Sequence, residues 1–197
     1  GGEGSDTLNV DLEGSFTGFS GDGGMSNVEV VNLSNEGSIA RSFNADEVEG
    51  VEAYSLTGDI NLSNLAATDA AVNLIDRDSG TTTIGYASDV TDGSSDALAL
   101  GLTNTGAVEV KDDDGDVTTP ESALTVDADG IEEVNITANG ANVAALGSDD
   151  AEDITVSGAG GLKLTEVGAG LKTVDASELA AGLDIDLSDA DDVTSVL

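Results

Sequence analysis

A seven-residue phrase returns through this chain at a nearly constant interval, and that interval constrains the fold more than any other feature. It reads Val28-Glu29-Val30-Val31-Asn32-Leu33-Ser34 at first and Val51-Glu52-Ala53-Tyr54-Ser55-Leu56-Thr57 at its return. A third copy is Ile131-Glu132-Glu133-Val134-Asn135-Ile136-Thr137. Looser copies are Ala151-Glu152-Asp153-Ile154-Thr155-Val156-Ser157 and Leu171-Lys172-Thr173-Val174-Asp175-Ala176-Ser177, and Val193-Thr194-Ser195-Val196-Leu197 begins one more. The starts at 28 and 51 lie 23 apart, those at 131, 151 and 171 lie 20 apart, and 171 to 193 is 22. The 80 residues between the starts at 51 and 131 leave room for about four such units. A period in this range marks a solenoid, in which each unit buries its apolar face by stacking on its neighbours.

Between the phrases runs a second alternation: Ile60-Asn61-Leu62-Ser63, Leu162-Lys163-Leu164 and Leu183-Asp184-Ile185-Asp186-Leu187. Period two puts the aliphatic side chains on one face of a strand and the polar ones on the other. Each unit therefore carries at least two strands separated by Gly, Asn, Asp or Ser corners. Stacked in parallel, such units form an all-β parallel β-helix, or β-solenoid. The stretch 65–125 is less regular. Leu65-Ala66-Ala67-Thr68 through Ala71 reads as a short helical turn or a corner insertion. Val72-Asn73-Leu74-Ile75, Thr83-Ile84-Gly85-Tyr86, Leu98-Ala99-Leu100-Gly101-Leu102 and Val108-Glu109-Val110 read as strands. Residues 112–116, between Val110 and Val117, read as the tip of a hairpin that projects from the solenoid, with the sole proline, Pro120, just beyond it. The sharpest change of pattern falls near residue 27, dividing a lead-in (1–27) from the repeats (28–197).

The lead-in opens Gly1-Gly2-Glu3-Gly4-Ser5-Asp6-Thr7-Leu8-Asn9, which fits the calcium-roll nonapeptide G-G-x-G-x-D-x-U-x at every fixed position. Gly21-Asp22-Gly23-Gly24 resembles a further turn of the same roll with different spacing. An opening Gly-Gly without an initiator methionine is expected of a fragment or a processed piece.

Charge narrows the functional classes. Forty acidic residues face five basic ones, a formal charge of -35. Such a chain repels itself unless cations neutralise it, and it lacks the cationic surface that nucleic acid requires. Aspartate outnumbers glutamate and clusters beside glycine, which favours metal loops over a uniformly solvated, salt-adapted shell. With no cysteine and no histidine, thiol catalysis, disulfides, the usual zinc sites and histidine general bases are excluded. No run of about 18 apolar residues is present, so no membrane-spanning helix is expected.

The densest carboxylate cluster is Asp112, Asp113, Asp114 and Asp116. An EF-hand register on Asp112 and Asp114 places Gly115 and Glu121 correctly but puts Val110 at the first ligand position, where it cannot ligate. An acidic turn that binds calcium weakly, or a solvated hairpin, fits better. Further candidates are Asp127 with Asp129, Asp149 with Asp150 and Asp153, and Asp189 with Asp191 and Asp192. Carboxylates repeated at equivalent corners repel unless ions bridge them, so calcium binding would couple to folding. The alternative is that each is a turn residue, a place Asp favours without metal. Glycosidase or lyase chemistry finds little support, since two tyrosines, three phenylalanines and five basic residues give neither a sugar platform nor a base in reserve.

The nonapeptide with Val10, followed by Ser26-Asn27-Val28-Glu29-Val30-Val31-Asn32-Leu33, resembles the calcium-binding RTX-type surface-layer proteins of Gram-negative bacteria. Leu171-Lys172-Thr173-Val174-Asp175-Ala176-Ser177 and Gly182-Leu183-Asp184-Ile185-Asp186-Leu187-Ser188 are similar to the β-strand repeats of the same proteins. The resemblance implies an RTX-like calcium-roll turn at the N-terminus, with carbonyls from Gly2 and Gly4 and a carboxylate from Asp6. It also implies an extracellular, secreted, calcium-bound solenoid that assembles with copies of itself on the cell surface, with cell-surface polysaccharide engaged through regions outside this chain. The expected function is structural and not enzymatic: a component of a calcium-dependent surface layer or matrix. The alternatives are an adhesin or stalk module that binds a cell-surface ligand and, third, a β-helix enzyme acting on polysaccharide.

Overall fold

The computed structural model describes residues 2–197. Gly1, first residue of the nonapeptide, lies outside the described residues. Strands are numbered along the chain. Nine of them form one parallel sheet in sequence order: β1 (Thr7–Asp11), β2 (Val30–Ser34), β4 (Ala53–Thr57), β6 (Ala71–Ile75), β8 (Ala97–Thr103), β12 (Glu133–Asn139), β14 (Asp153–Gly158), β16 (Thr173–Leu179) and β18 (Ser195–Val196). Seven more form a second parallel sheet: β3 (Arg41–Asn44), β5 (Ile60–Leu65), β7 (Gly80–Tyr86), β11 (Leu124–Asp127), β13 (Ala141–Leu146), β15 (Gly161–Leu164) and β17 (Leu183–Ile185). The chain alternates between the two sheets, so each turn from β2 to β17 contributes one strand to each, and the result is a parallel β-solenoid. Among the described residues no helix occurs, and none is long and apolar enough to cross a membrane.

The repeat spacing is the strand register. Val30 pairs with Ala53, a step of 23. Glu133 pairs with Asp153 and Asp153 with Thr173, steps of 20, and Thr173 pairs with Ser195, a step of 22. The long interval in the middle is different from the expectation. It holds three steps, not four: Tyr54 to Val72 is 18, Val72 to Leu100 is 28 and Leu100 to Ile136 is 36. The short turn trims a corner, and the two long ones carry insertions. The segment after Leu65 is a corner rather than a helical turn. Thr7 pairs with Val30 and Asp11 with Ser34, so the strand of the nonapeptide is the first rung of the same sheet.

Inward positions stack as aliphatic columns. Leu33, Leu56, Leu74, Leu102 and Ala138 follow one another up the first sheet, each at most 2% exposed. On the second, Phe43, Leu62 and Ile84 stack in register, all buried. Each buried leucine contributes about 1.5–3 kcal/mol of transfer free energy. Aromatics gather near the first rungs, where Phe16 stacks on Phe43 at 5.0 Å and meets Phe19 edge-on at 5.2 Å.

Two devices shape the corners. Gly58, Asp76, Asn104 and Gly140, each following a first-sheet strand, turn with φ of 86°, 50°, 52° and 72°. The Asn104 side chain donates to Asp76 Oδ1 at 3.1 Å, stacking one corner on the next. Beside that column Arg77, 7% exposed, fills a loop: it reaches Asp59 Oδ1 at 2.8 Å, Thr82 Oγ1 at 2.5 Å and the carbonyls of Thr81 and Ser79 at 2.8 and 3.1 Å. Between β8 and β11 the expected hairpin stands out from the wall as β9 (Val110–Lys111) and β10 (Val117–Thr119), antiparallel, with residues 108–121 all exposed.

Candidate functional site

The residue immediately before each first-sheet strand sits at a corner, and in most rungs it is acidic. Register stacks Asp6 under Glu29 under Glu52, before β1, β2 and β4. Ala70 ends that column before β6. A second column, two residues out of line with the first because Val72 pairs with Leu100, stacks Asp96, Glu132 and Glu152 before β8, β12 and β14 and closes on Lys172 before β16. In two of the four copies the Glu of the repeated phrase bonds to the rung below. Glu29 reaches back one rung to accept the Asp6 N–H at 2.6 Å, and Glu132 accepts the Asp96 N–H at 2.8 Å. In return the carbonyls of Asp6 and Asp96 each accept two N–H groups from the rung above. Lys172 Nζ lies 2.5 Å from Glu152 Oε2 and neutralises the upper end. None of these glutamates was among the sequence-expected ligands. The signal was present, since the second residue of the phrase is Glu at 29, 52, 132 and 152.

A second acidic corner follows the second sheet and repeats without insertion over residues 127–130, 147–150 and 167–170. It places Asp129 one rung from Asp149, and Asp127 one rung from Gly147. Asp150 Oδ2 accepts the Gly130 N–H at 2.8 Å, and Asp149 Oδ1 accepts the Ala169 N–H at 3.4 Å. The next rung carries Ala169 and Gly170 at the equivalent positions, so Asp189 and Asp191 belong to a later turn and are not brought to the other pair.

The remaining candidates stand apart. Gly4 turns with φ 116°, and Asp6 Oδ2 accepts the Gly2 N–H at 2.6 Å, closing the nonapeptide turn on itself. Asp22 is exposed in the connector between β1 and β2. In the hairpin, Asp112 Oδ1 accepts the N–H groups of Asp114 and Asp116 at 3.0 and 2.9 Å, the bonding of an Asx turn. Asp114 and Asp116 are exposed on that tip. Among the described residues, no three or more Asp or Glu side chains converge as a ready metal cage. What the corners offer instead is pairs of carboxylates beside backbone carbonyls, one rung apart.

Rungs lie about 4.8 Å apart, and two like charges at that separation repel by about 1 kcal/mol in water. Asp127 shows the effect of its corner: partial burial, with the Asp129 charge beside it, raises its carboxyl above the ordinary range. Asp175 and Asp186 go the other way, held below it by hydrogen bonds from the side chains and backbones of Ser177 and Ser188. Burial pushes the Tyr54 hydroxyl up to about 12, and burial followed by the Asp96 charge raises Tyr86 as well. Four of the five cations, Arg77, Lys111, Lys163 and Lys172, are paired to carboxylates of this chain. Compared with known protein families, characterised proteins and solved structures, the chain matches none.

Proposed function

We propose that the chain is a structural module of a calcium-dependent extracellular surface layer or matrix, folding and assembling with other copies of itself when calcium neutralises its corners. The observation that carries this reading is the vertical stacking of acid: Asp6, Glu29 and Glu52 in three successive rungs, and Asp96, Glu132 and Glu152 in three more. Closing the solenoid brings those charges within one rung of each other, whereas the extended chain keeps them 20 or more residues apart. Divalent cations with oxygen preference relieve that repulsion most, and calcium accepts mixed carboxylate and carbonyl ligands. The nonapeptide supports the choice of ion, because its Gly2, Gly4 and Asp6 lie at the foot of the first acidic column.

The mechanism is neutralisation. At low calcium, self-repulsion keeps the chain open and competent for export; at millimolar calcium outside the cell the corners are bridged and the rungs close. The role is structural, and the reading assigns no catalytic residue. Far-UV circular dichroism and sedimentation in chelator, in millimolar calcium and in sodium chloride of matched ionic strength test it. Strand content and assembly should rise with calcium far more than with matched salt. Full strand content in chelator at low salt, or equal recovery in sodium chloride, would sink the proposal.

A further inference from the structure

We propose that the lower end of the solenoid, beneath β1, is covered by one further turn of the same polypeptide, entering N-terminal to Gly1 and pairing in parallel under the first rung. No ion enters this argument, so it stands apart from the calcium reading.

The core is open at that end. The first rung has three sides: β1 under β2, Phe16 bridging to Phe43, and Met25 bridging to Val48. Its inward residues Leu8, Val10, Phe16 and Met25 are only half-buried. Their register partners one rung up, Val31, Leu33, Phe43 and Val48, are at most 5% exposed. The columns and the chemistry are the same, and the difference is that nothing lies beneath. With Phe19, 38% exposed, these residues line an apolar hollow of about 360 Å³. A terminal solenoid turn needs a polar outer face to stay soluble. This one is aliphatic and aromatic.

The backbone is open as well. The Asp6 carbonyl accepts the Glu29 and Val30 N–H groups, and the Leu12 N–H donates to the Ser34 carbonyl. By the alternation of a parallel ladder, Asp6, Leu8, Val10 and Leu12 bond upward, while Thr7, Asn9 and Asp11 turn their N–H and C=O groups to the open side. On the other two sides Phe16 and Met25 also donate and accept upward. A natural edge strand is commonly blunted by proline, lysine or a bulge. β1 has none of these, and its residues pair with β2 without a break. The edge is built to be paired.

Shape and area select the occupant. A lone strand under β1 would leave the Phe16 and Met25 sides bare, whereas a whole turn covers all three. Such a turn repeats the contact already made at every rung boundary, aliphatic column on aliphatic column in parallel register. A turn of 23 residues, the step from Thr7 to Val30, has a perimeter of roughly 76 Å and encloses at most roughly 460 Å². That is well under the roughly 800 Å² per partner of a standard interface. A separate chain would therefore hold weakly, and a second copy would also bring its charge of -35. A turn of the same polypeptide is tethered and escapes most of the cost of association. The path of the chain agrees. Gly4, with φ 116°, and the bond from the Gly2 N–H to Asp6 Oδ2 bring it into β1 at the corner beneath Glu29.

Amide hydrogen exchange tests the assignment, comparing residues 1–197 with the full-length polypeptide as its host makes it. In 1–197 the Thr7, Asn9 and Asp11 amides should exchange like those of exposed loops. In the full-length polypeptide they should slow by about 100-fold or more, toward the level of β2, and the amides flanking Phe16 should slow with them. No slowing overturns the proposal, as does a full-length polypeptide that starts at Gly1. Slowing at β1 alone shows a lone strand and overturns the turn. Slowing within 1–197 that grows with its concentration assigns the end to a second copy and also overturns it.

Discussion

Replacing Arg77 with alanine tests how this solenoid holds a loop that its ladders do not reach. Arg77 donates to four acceptors: Asp59 Oδ1, Thr82 Oγ1, and the Thr81 and Ser79 carbonyls. Their fates differ on truncation. The Asp59 side chain is 40% exposed and regains water, so little of its charge is left stranded. Thr82 is 0% exposed and loses its Oγ1 partner outright. An orphaned buried polar group costs about 1–3 kcal/mol, and the lost packing of the guanidinium stem adds roughly 1 kcal/mol more. Arg77→Ala should therefore destabilise by about 2–4 kcal/mol in urea titrations followed by far-UV circular dichroism at fixed calcium. The double variant Arg77→Ala with Thr82→Val should recover about 1 kcal/mol, since the orphaned hydroxyl is gone. A loss under about 0.5 kcal/mol, or a double variant no better than the single, would refute the account of Arg77 as the loop's internal scaffold.

Gly58→Ala should cost about 2 kcal/mol or more: φ there is 86°, and the new Cβ would meet the Asn35 carbonyl oxygen at 2.2 Å. A thermal melt within a degree of the parent would contradict it. The acid limb of stability should carry opposite contributions from two sets of aspartates. Asp175 and Asp186, depressed in the folded chain, give stability that is present above the unfolded carboxylate range and is lost as pH falls through their folded values. Asp127, raised, is unfavourable when ionised, so its penalty disappears as pH falls. Carboxyl NMR titrations of Ser177→Ala and Asp129→Asn read this directly: Asp175 should titrate higher in the first and Asp127 lower in the second.

Much of the first sheet was legible in the sequence because its phrase is anchored by two buried positions per strand, such as Val31 with Leu33 and Tyr54 with Leu56. Those pairs fix the register, and the steps of 23, 20, 20 and 22 between phrases became the ladder itself. The count through the middle was not legible. Corner lengths there are set by insertions, above all the hairpin, which leave Gly80 of β7 paired with Leu124 of β11 across 44 residues. Nor was β13, whose run Asn142 to Leu146 is buried without alternation because the hairpin base covers its outer side; Val143 N–H bonds to the Thr105 carbonyl. Of the candidate residues, the aspartate clusters could be picked out one by one, but their partners could not. Whether Asp149 stands over Asp129 or Asp191 depends on counting rungs in three dimensions. The glutamates at 29 and 132 escaped for a different reason: inside an alternating phrase they read as strand positions, and only the closed corner shows them reaching back a rung.

The direction of the ladder hydrogen bonds has a mechanical consequence. They run along the solenoid axis, each rung holding only the one above and the one below. Tension applied at the two ends therefore loads one rung boundary at a time, as in opening a zipper, instead of shearing a whole sheet at once. Each 20-residue turn that peels away would release about 70 Å of slack, and the 36-residue turn that carries the hairpin about 125 Å. A layer or stalk built from such a chain would lengthen in graded steps under load and rewind when the load is removed.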